Sequence, residues 1–246
     1  GTLPITWTYR GNLGSLKILS STDSGSMYPG TVIAAVAHNN LEGSGGPKYD
    51  WTIPTATSTK YRVKIEQISD AAYVNDASLA DFTVKGVLDL LTPDATGVVM
   101  TRGGSNYSIT WMPTGTFKVN LFYSENNGTS YPGVIDNSGT LNASDGSFPW
   151  VVPDKILGSV MKVKIVDANN SSVSDVSTNP FNIVGQLALN SLTGGTSCTV
   201  GSSCLIQWTP TGTWSTVRID YSLNSGSDWT TNLASPAAGA SGVLQT

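Results

Sequence analysis

Residues 109–124 read ITWMPTGTFKVNLFYS, and the second half of that stretch decides the fold. Phe117, Val119, Leu121 and Tyr123 alternate with Lys118, Asn120 and Phe122. A hydrophobic period of two is the mark of a strand with one face on a core and the other in water. The same alternation returns in Met161, Val163 and Ile165 against Lys162 and Lys164, and in Val217, Ile219 and Tyr221 against Arg218 and Asp220. No dozen residues keep helical apolar spacing without a Gly, Pro or Ser cluster breaking it. Turn signals come often instead, at Asn127-Gly128, Ser225-Gly226, Pro132-Gly133, Asp145-Gly146 and Gly45-Gly46-Pro47.

The opening triplet of the quoted stretch is written three times. Ile109-Thr110-Trp111 is echoed by Ile5-Thr6-Trp7 and by Ile206-Gln207-Trp208. Downstream, Ser21, Gly25 and Tyr28 match Ser124, Gly128 and Tyr131, then Ser222, Gly226 and Trp229, with the same internal spacing each time. The last two copies share Pro113 to Phe117 with Pro210 to Trp214. The first two share Trp51, Ile53 and Pro54 with Trp150, Val152 and Pro153, Val63 to Ile65 with Val163 to Ile165, and Phe82, Val84 and Gly86 with Phe181, Ile183 and Gly185. Offsets between these copies run from 99 to 104 residues, a repeat of domain size. The division is therefore 1–86, a unit without its first strand or strands; 87–185, a complete unit; and 186–246, a unit without its C-terminal part. By comparison with the middle unit, about 18 residues are expected before Ile5 and nearly 40 after Thr246. Either the chain is cropped from a longer array, or the open ends are completed by strands of neighbouring chains.

About seven strands per unit of about 99 residues predict an all-β fold of tandem immunoglobulin-like antiparallel sandwiches. In such a unit the recurring residues have structural duties. Trp7, Trp111 and Trp208 point inward beside an Ile two residues before. Gly25, Gly128 and Gly226 supply the positive backbone angle of a hairpin turn, covered by the aromatic three residues later. Trp51 and Trp150 lead a strand to an edge, where the missing donor of the following Pro is harmless.

Composition narrows function by exclusion. Thirteen Lys and Arg against seventeen Asp and Glu leave a net charge of -4 with no basic cluster, which excludes nucleic acid as a partner. No apolar run reaches the length of a membrane span. Only 12% of residues are charged, while 31 Ser, 29 Thr and 26 Gly supply the polar surface, an extracellular balance. A single His removes most Ser-His, Cys-His and His-metal chemistry, and the glutamates, Glu42, Glu66 and Glu125, lie scattered through different units. No catalytic residue, metal site or cofactor is expected. The acidic turns at Asp23, Glu125–Asn127, Asp145, Asp167–Asn170 and Asp228 lack the alternating carboxylates of a calcium loop. Cys198 and Cys204 have a spacing that lets two strands of a tight hairpin face each other, and a disulfide there implies an oxidising compartment. With no initiator Met or leader, either a signal has been removed or the chain belongs to something longer.

Asn106, Asn127, Asn142, Asn169 and Asn170 each open an Asn-X-Ser/Thr acceptor triplet for N-glycosylation, all in the middle unit. Trp214, matching Phe117 and opening its strand, is the candidate ligand platform, with Phe122 and Trp229 as further aromatics to inspect.

The run Tyr107 to Trp111, the alternating strand to Tyr123 and Ser124, the glycine turn, Phe148 to Pro153, Val163 to Ile165 and Phe181 to Ile183 resembles the Knh-type domain of fungal cell-wall-synthesis and Ser/Thr-rich surface proteins. It is also similar to immunoglobulin-like and fibronectin type III-like tandem modules. The resemblance covers about 80 residues of the middle unit and parts of the others. It implies a secreted or wall-associated, non-catalytic module and brings no binding residue with it. The expected role is that of a spacer or building block of a cell-surface layer or fibre. The alternatives are a wall module that binds polysaccharide and a filament subunit joined by strand complementation. Partners to expect are neighbouring repeats or copies of the chain itself, and, for the second reading, cell-wall polysaccharide.

Overall fold

The computed structural model describes residues 1–39, 46–102, 106–155, 157–211, 216–234 and 242–245. Every sheet draws its strands from one of three consecutive groups. The first group comprises β1 (Thr2–Thr6), β2 (Ser15–Ser21), β3 (Gly30–Ala37), β4 (Lys48–Thr52), β5 (Ser58–Gln67), β6 (Asn75–Ala77) and β7 (Phe82–Val84). The second runs through β8 (Val87–Thr92), β9 (Val99–Thr101), β10 (Tyr107–Thr114), β11 (Val119–Ser124), β12 (Gly133–Asp136), β13 (Ser147–Trp150), β14 (Leu157–Asp167), β15 (Ser174–Val176) and β16 (Phe181–Val184). The third holds β17 (Gln186–Leu189), β18 (Leu205–Thr211), β19 (Ile219–Tyr221), β20 (Thr230–Ala234) and β21 (Gly242–Gln245).

The middle group is an immunoglobulin-like sandwich. One sheet has the order β13-β10-β8, the other β12-β11-β14-β16-β9, with β15 on the β14 edge. The alternating residues meet between them. Val119, Leu121, Met161, Val163 and Ile165 from the larger sheet pack on Ile109, Trp111, Leu88, Leu90 and Trp150 from the smaller, in one core of seventeen buried residues. Two features depart from the sequence expectation. The group holds nine described strands rather than about seven, and one of the additions arises because β14 pairs with β16 near its start and with β15 near its end, splitting the last strand in two. The sandwich is also not wholly antiparallel: β9 runs parallel to β16.

The first group repeats this plan with β1-β4 facing β3-β2-β5-β6, β7 also pairing with β5. Trp51 stacks edge-on against Phe82 (86°, 6.2 Å), as Trp150 does against Phe181 (87°, 6.1 Å). Trp150 closes β13 and Trp51 is the penultimate residue of β4, both strands lying at sheet edges, and Pro54 and Pro153 lie beyond the strand ends. In the third group β17-β18-β21 faces the β19-β20 pair.

Consecutive groups are joined tightly. Lys85 and Gly86 alone separate β7 from β8, and Gly185 alone separates β16 from β17. A Cβ on Gly86 would fall 2.2 Å from Phe117 Cε1, so only glycine lets the chain pass this ring. The Thr116 N–H donates to Thr55 O at 2.7 Å, and Thr57 Oγ1 donates to Thr116 O at 3.3 Å, tying the first group to the second. No helix among the described residues is long and apolar enough to cross a membrane.

Candidate functional site

The flank of the first group between β1 and β6 differs most from its counterpart in the second. In the second group β10 continues through Trp111 to Thr114 because those residues pair with β8, Trp111 facing Leu90 and Pro113 facing Leu88. The aligned residues of the first group, Trp7 to Arg10, lie beyond the end of β1, and no described strand runs along them. A groove of about 580 Å³ opens there instead, lined by Ile5, Trp7, Ile18, Val63, Ile65 and Asp76 among others. A second depression of about 370 Å³ extends past Trp7 toward Tyr9, Leu13 and Leu16. Leu79, 97% exposed, is also on the wall of the groove.

Packing reports the same opening. Ile109, Val163 and Ile165 are fully buried, whereas the aligned Ile5, Val63 and Ile65 are only half-buried. The core of the first group divides into two small clusters, one around Leu16, Ile18 and Val36, the other around Trp51, Tyr61 and Val84. In the second group Leu88 and Leu90 of β8 are part of a single core.

Asp76 occupies a telling position on the groove. It pairs with Ile65 on β5 as Asp175 pairs with Ile165 on β14. Asp175 Oδ2 accepts the backbone N–H of Leu90 at 2.7 Å, pinning β8 onto the larger sheet. Asp76 Oδ1 accepts only the neighbouring Ala77 N–H at 2.9 Å among its described bonds, and the residue is exposed. Deeper along this flank, Glu66 is buried beneath Lys17 and Lys64, each 2.7 Å from one of its oxygens. The bonds from Lys17 and then Lys64 hold its carboxyl below the ordinary glutamate value.

The thrice-written Ser-Gly-aromatic set forms a common turn, centred on the serine. Ser124 Oγ accepts from the N–H groups of Asn126 (3.2 Å) and Gly128 (2.8 Å) and donates to Asn126 Oδ1 (2.8 Å). Ser21 does the same with Asp23 and Gly25, and Ser222 with Asn224 and Gly226. The residue before each glycine also has a positive φ: Ser24 at 63°, Asn127 at 55° and Ser225 at 60°. Lys64 lies over Tyr28 and Lys164 over Tyr131, 5.8 and 5.7 Å from the ring centroids. Trp229 stands at the third aromatic position with no described strand equivalent to β5 or β14 beside it, and it is 61% exposed. The serine's part was legible in its fixed spacing from the glycine, but the sequence reading assigned duties only to the glycine and the aromatic.

The other sequence candidates fall apart in space. Cys198 and Cys204 are bonded with their Cα atoms 5.8 Å apart. They lie in the loop between β17 and β18, so the expectation of facing hairpin strands is corrected: the bridge closes a loop that makes its own turn, Ser202 N–H to Thr199 O at 3.0 Å. Asn106, Asn127, Asn142 and Asn169 are exposed and Asn170 is half-buried. The Asn142 Nδ2 that would carry a sugar donates to Asp145 Oδ1 at 3.3 Å, and its Oδ1 accepts from Lys118. Asn170 Oδ1 accepts from Ser172 N–H and Oγ. Trp214 lies outside the described residues, and Phe122 is half-buried on β11. Among the described residues no three His, Cys, Asp or Glu side chains meet as a metal site would require.

No family model matches this chain, and no curated protein does. Among solved structures it is similar to the fibronectin(III)-like modules of Clostridium thermocellum CbhA, at 13% identity and a TM-score of 0.25, covering 74% of this chain and 84% of that one. It is also similar to the FN1-FN3 domains of chicken CNTN1, at 13% identity and a TM-score of 0.27, covering 99% and 83%. The sandwich assignment rests on the strand order and core described above, and the Knh-type resemblance on the core pattern of the sequence alone.

Proposed function

We propose that the chain is a stretch of a non-catalytic, extracellular tandem-repeat protein, with β-sandwich domains at 1–86, 87–185 and 186–246, serving as a spacer or building block of a cell-surface layer or fibre of the kind Knh-type domains suggest. The observation that carries this reading is the docking of the first group on the second through Thr55, Thr57, Gly86, Thr116 and Phe117. With only two residues between β7 and β8, consecutive domains have little freedom to swing, and force applied at one end passes through paired backbone. The repeated serines and turn glycines, with Trp51, Trp111, Trp150 and Trp208, support it too, since each is engaged in a turn or a core. A surface of hydroxyls and a disulfide suit an oxidising, crowded exterior.

Small-angle scattering of the 246-residue chain tests it. A single stiff, elongated particle is expected, whereas a profile that requires a broad ensemble of freely jointed domains overturns the spacer reading. Incubation with insoluble glucan, chitin and peptidoglycan should leave the protein in solution, and tight retention by any of them would replace a mechanical role with a polysaccharide-binding one.

A further inference from the structure

We propose that the two outer faces of the second group fit one another, so that the larger sheet of one chain stacks on the smaller sheet of a second copy. The inference goes beyond the spacer reading, which requires only that the domains of one chain follow each other stiffly.

The larger sheet turns a row of four side chains outward. Val134, Phe122, Lys164 and Val176 stand side by side on β12, β11, β14 and β15, each paired with the next across the ladder. Both valines are exposed, and Phe122 and Lys164 are half-buried. In the first group the aligned Lys64 meets a carboxylate of its own sheet, Glu66, which Lys17 also holds. In the second group Val166 and Asn120 stand where Glu66 and Lys17 stand, so this face keeps the cation in an apolar frame and lacks the anion. The smaller sheet carries the converse. On β8 the exposed Asp89 lies between exposed Val87 and Leu91, while Leu88 and Leu90 turn into the core, and exposed Met112 on β10 faces Asp89 across the ladder. Neither Lys164 nor Asp89 has an ion-pair partner among the described residues.

Side chains on one face recur about every 7 Å along a strand and about every 5 Å across a sheet. With β8 of one copy laid crosswise on the larger sheet of the next, as in orthogonal sheet packing, Asp89 meets Lys164 while Val87 and Leu91 cover Phe122 and Val176. The apolar frame supplies affinity by leaving water, and the charge pair fixes the register. The two patches lie on opposite faces of one sandwich. The contact is therefore heterologous and passes from copy to copy instead of closing as a two-fold dimer.

Sedimentation equilibrium of the 246-residue chain, taken to millimolar concentration, tests this. The mean mass should rise with concentration past that of a dimer. Asp89→Lys and Lys164→Glu should each weaken the association roughly tenfold or more, because each brings like charges face to face. The double variant, which swaps the two charges, should recover it, a result that damage to the fold would not produce. If Lys164→Glu lowers the denaturant midpoint, Asp89→Lys at its exposed site carries the test alone. The proposal is overturned by a chain that stays monomeric at millimolar concentration, by a mass that levels off at the dimer, by association that ignores Asp89→Lys, or by a folded double variant as weak as the single ones. A monomeric chain that still scatters as a stiff rod removes this inference and leaves the spacer reading standing.

Discussion

Ser124 has no accessible surface and holds two backbone N–H groups and an asparagine side chain around one hydroxyl. Removing that oxygen leaves the Asn126 and Gly128 N–H groups without their partner inside the turn. Ser124→Ala should therefore cost about 1–3 kcal/mol, read as a lower denaturant midpoint of the second group with an unchanged m-value. Gly128 sits at φ 83° with a virtual Cβ 3.0 Å from Tyr131 Oη. Gly128→Ala should cost roughly 1–2 kcal/mol from the backbone alone, and Tyr131→Phe should not rescue it if backbone strain dominates. Glu66 gives a pH dependence of opposite origin. Its carboxyl binds a proton less readily in the folded chain than in the unfolded one, because Lys17 and then Lys64 hold the anion. Its contribution is thus complete above the ordinary carboxylate range and fades as pH falls through the lowered folded value. Glu66→Gln should lower stability at neutral pH and flatten the acid limb of the first group's stability profile, which a series of denaturant melts across acid pH would show.

At the scale of elements, a single strand decides whether a sandwich has one core or two. Ile109 and Ile5 begin the same triplet, yet the first is fully buried beside β8 and the second only half-buried beside a groove. Ile109→Ala should cost about 2–5 kcal/mol, whereas Ile5→Ala should cost well under half of that. Equal losses in the two groups would mean that the groove does not weaken the packing around Ile5. Much of this was legible in the sequence: the period of two marked the strands, and the recurring tryptophans and prolines marked their ends. The apolar lining of the groove was legible in the recurring Ile5, Val63 and Ile65. Its chemistry was not, because Asp76 and Asp175 sit between aligned blocks in short edge strands with no hydrophobic pattern, and an aspartate in a turn-rich chain reads as solvent-facing. The split of the last strand into β15 and β16, and the parallel β9, depend on how β14 bends between two partners. Alternation along one strand carries no information about that.

For the whole molecule, three groups of unequal packing on one chain imply unequal stability. The second has its seventeen-residue core, the first two small clusters, and the third Ile206, Trp208 and Val217 among the described residues. Trp208 Nε1 is buried there without a described partner, while Trp7 and Trp111 give theirs to His38 O and Ala143 O at 2.8 and 2.6 Å. Reduction of the Cys198–Cys204 bridge frees only a short loop of the third group and should lower that group alone, by about 2 kcal/mol on a loop-entropy estimate. Unfolding in guanidinium should accordingly proceed in steps, with protection lost first around Ile206 and Trp208, then around Leu16 and Ile18, and last around Leu121, Val163 and Ile165. Pulse-labelled hydrogen exchange with peptide-level resolution orders these events. Simultaneous loss at all three places would mean that the junctions at Gly86 and Gly185 transmit stability as well as direction, and that the chain melts as one body rather than as beads of separate strength.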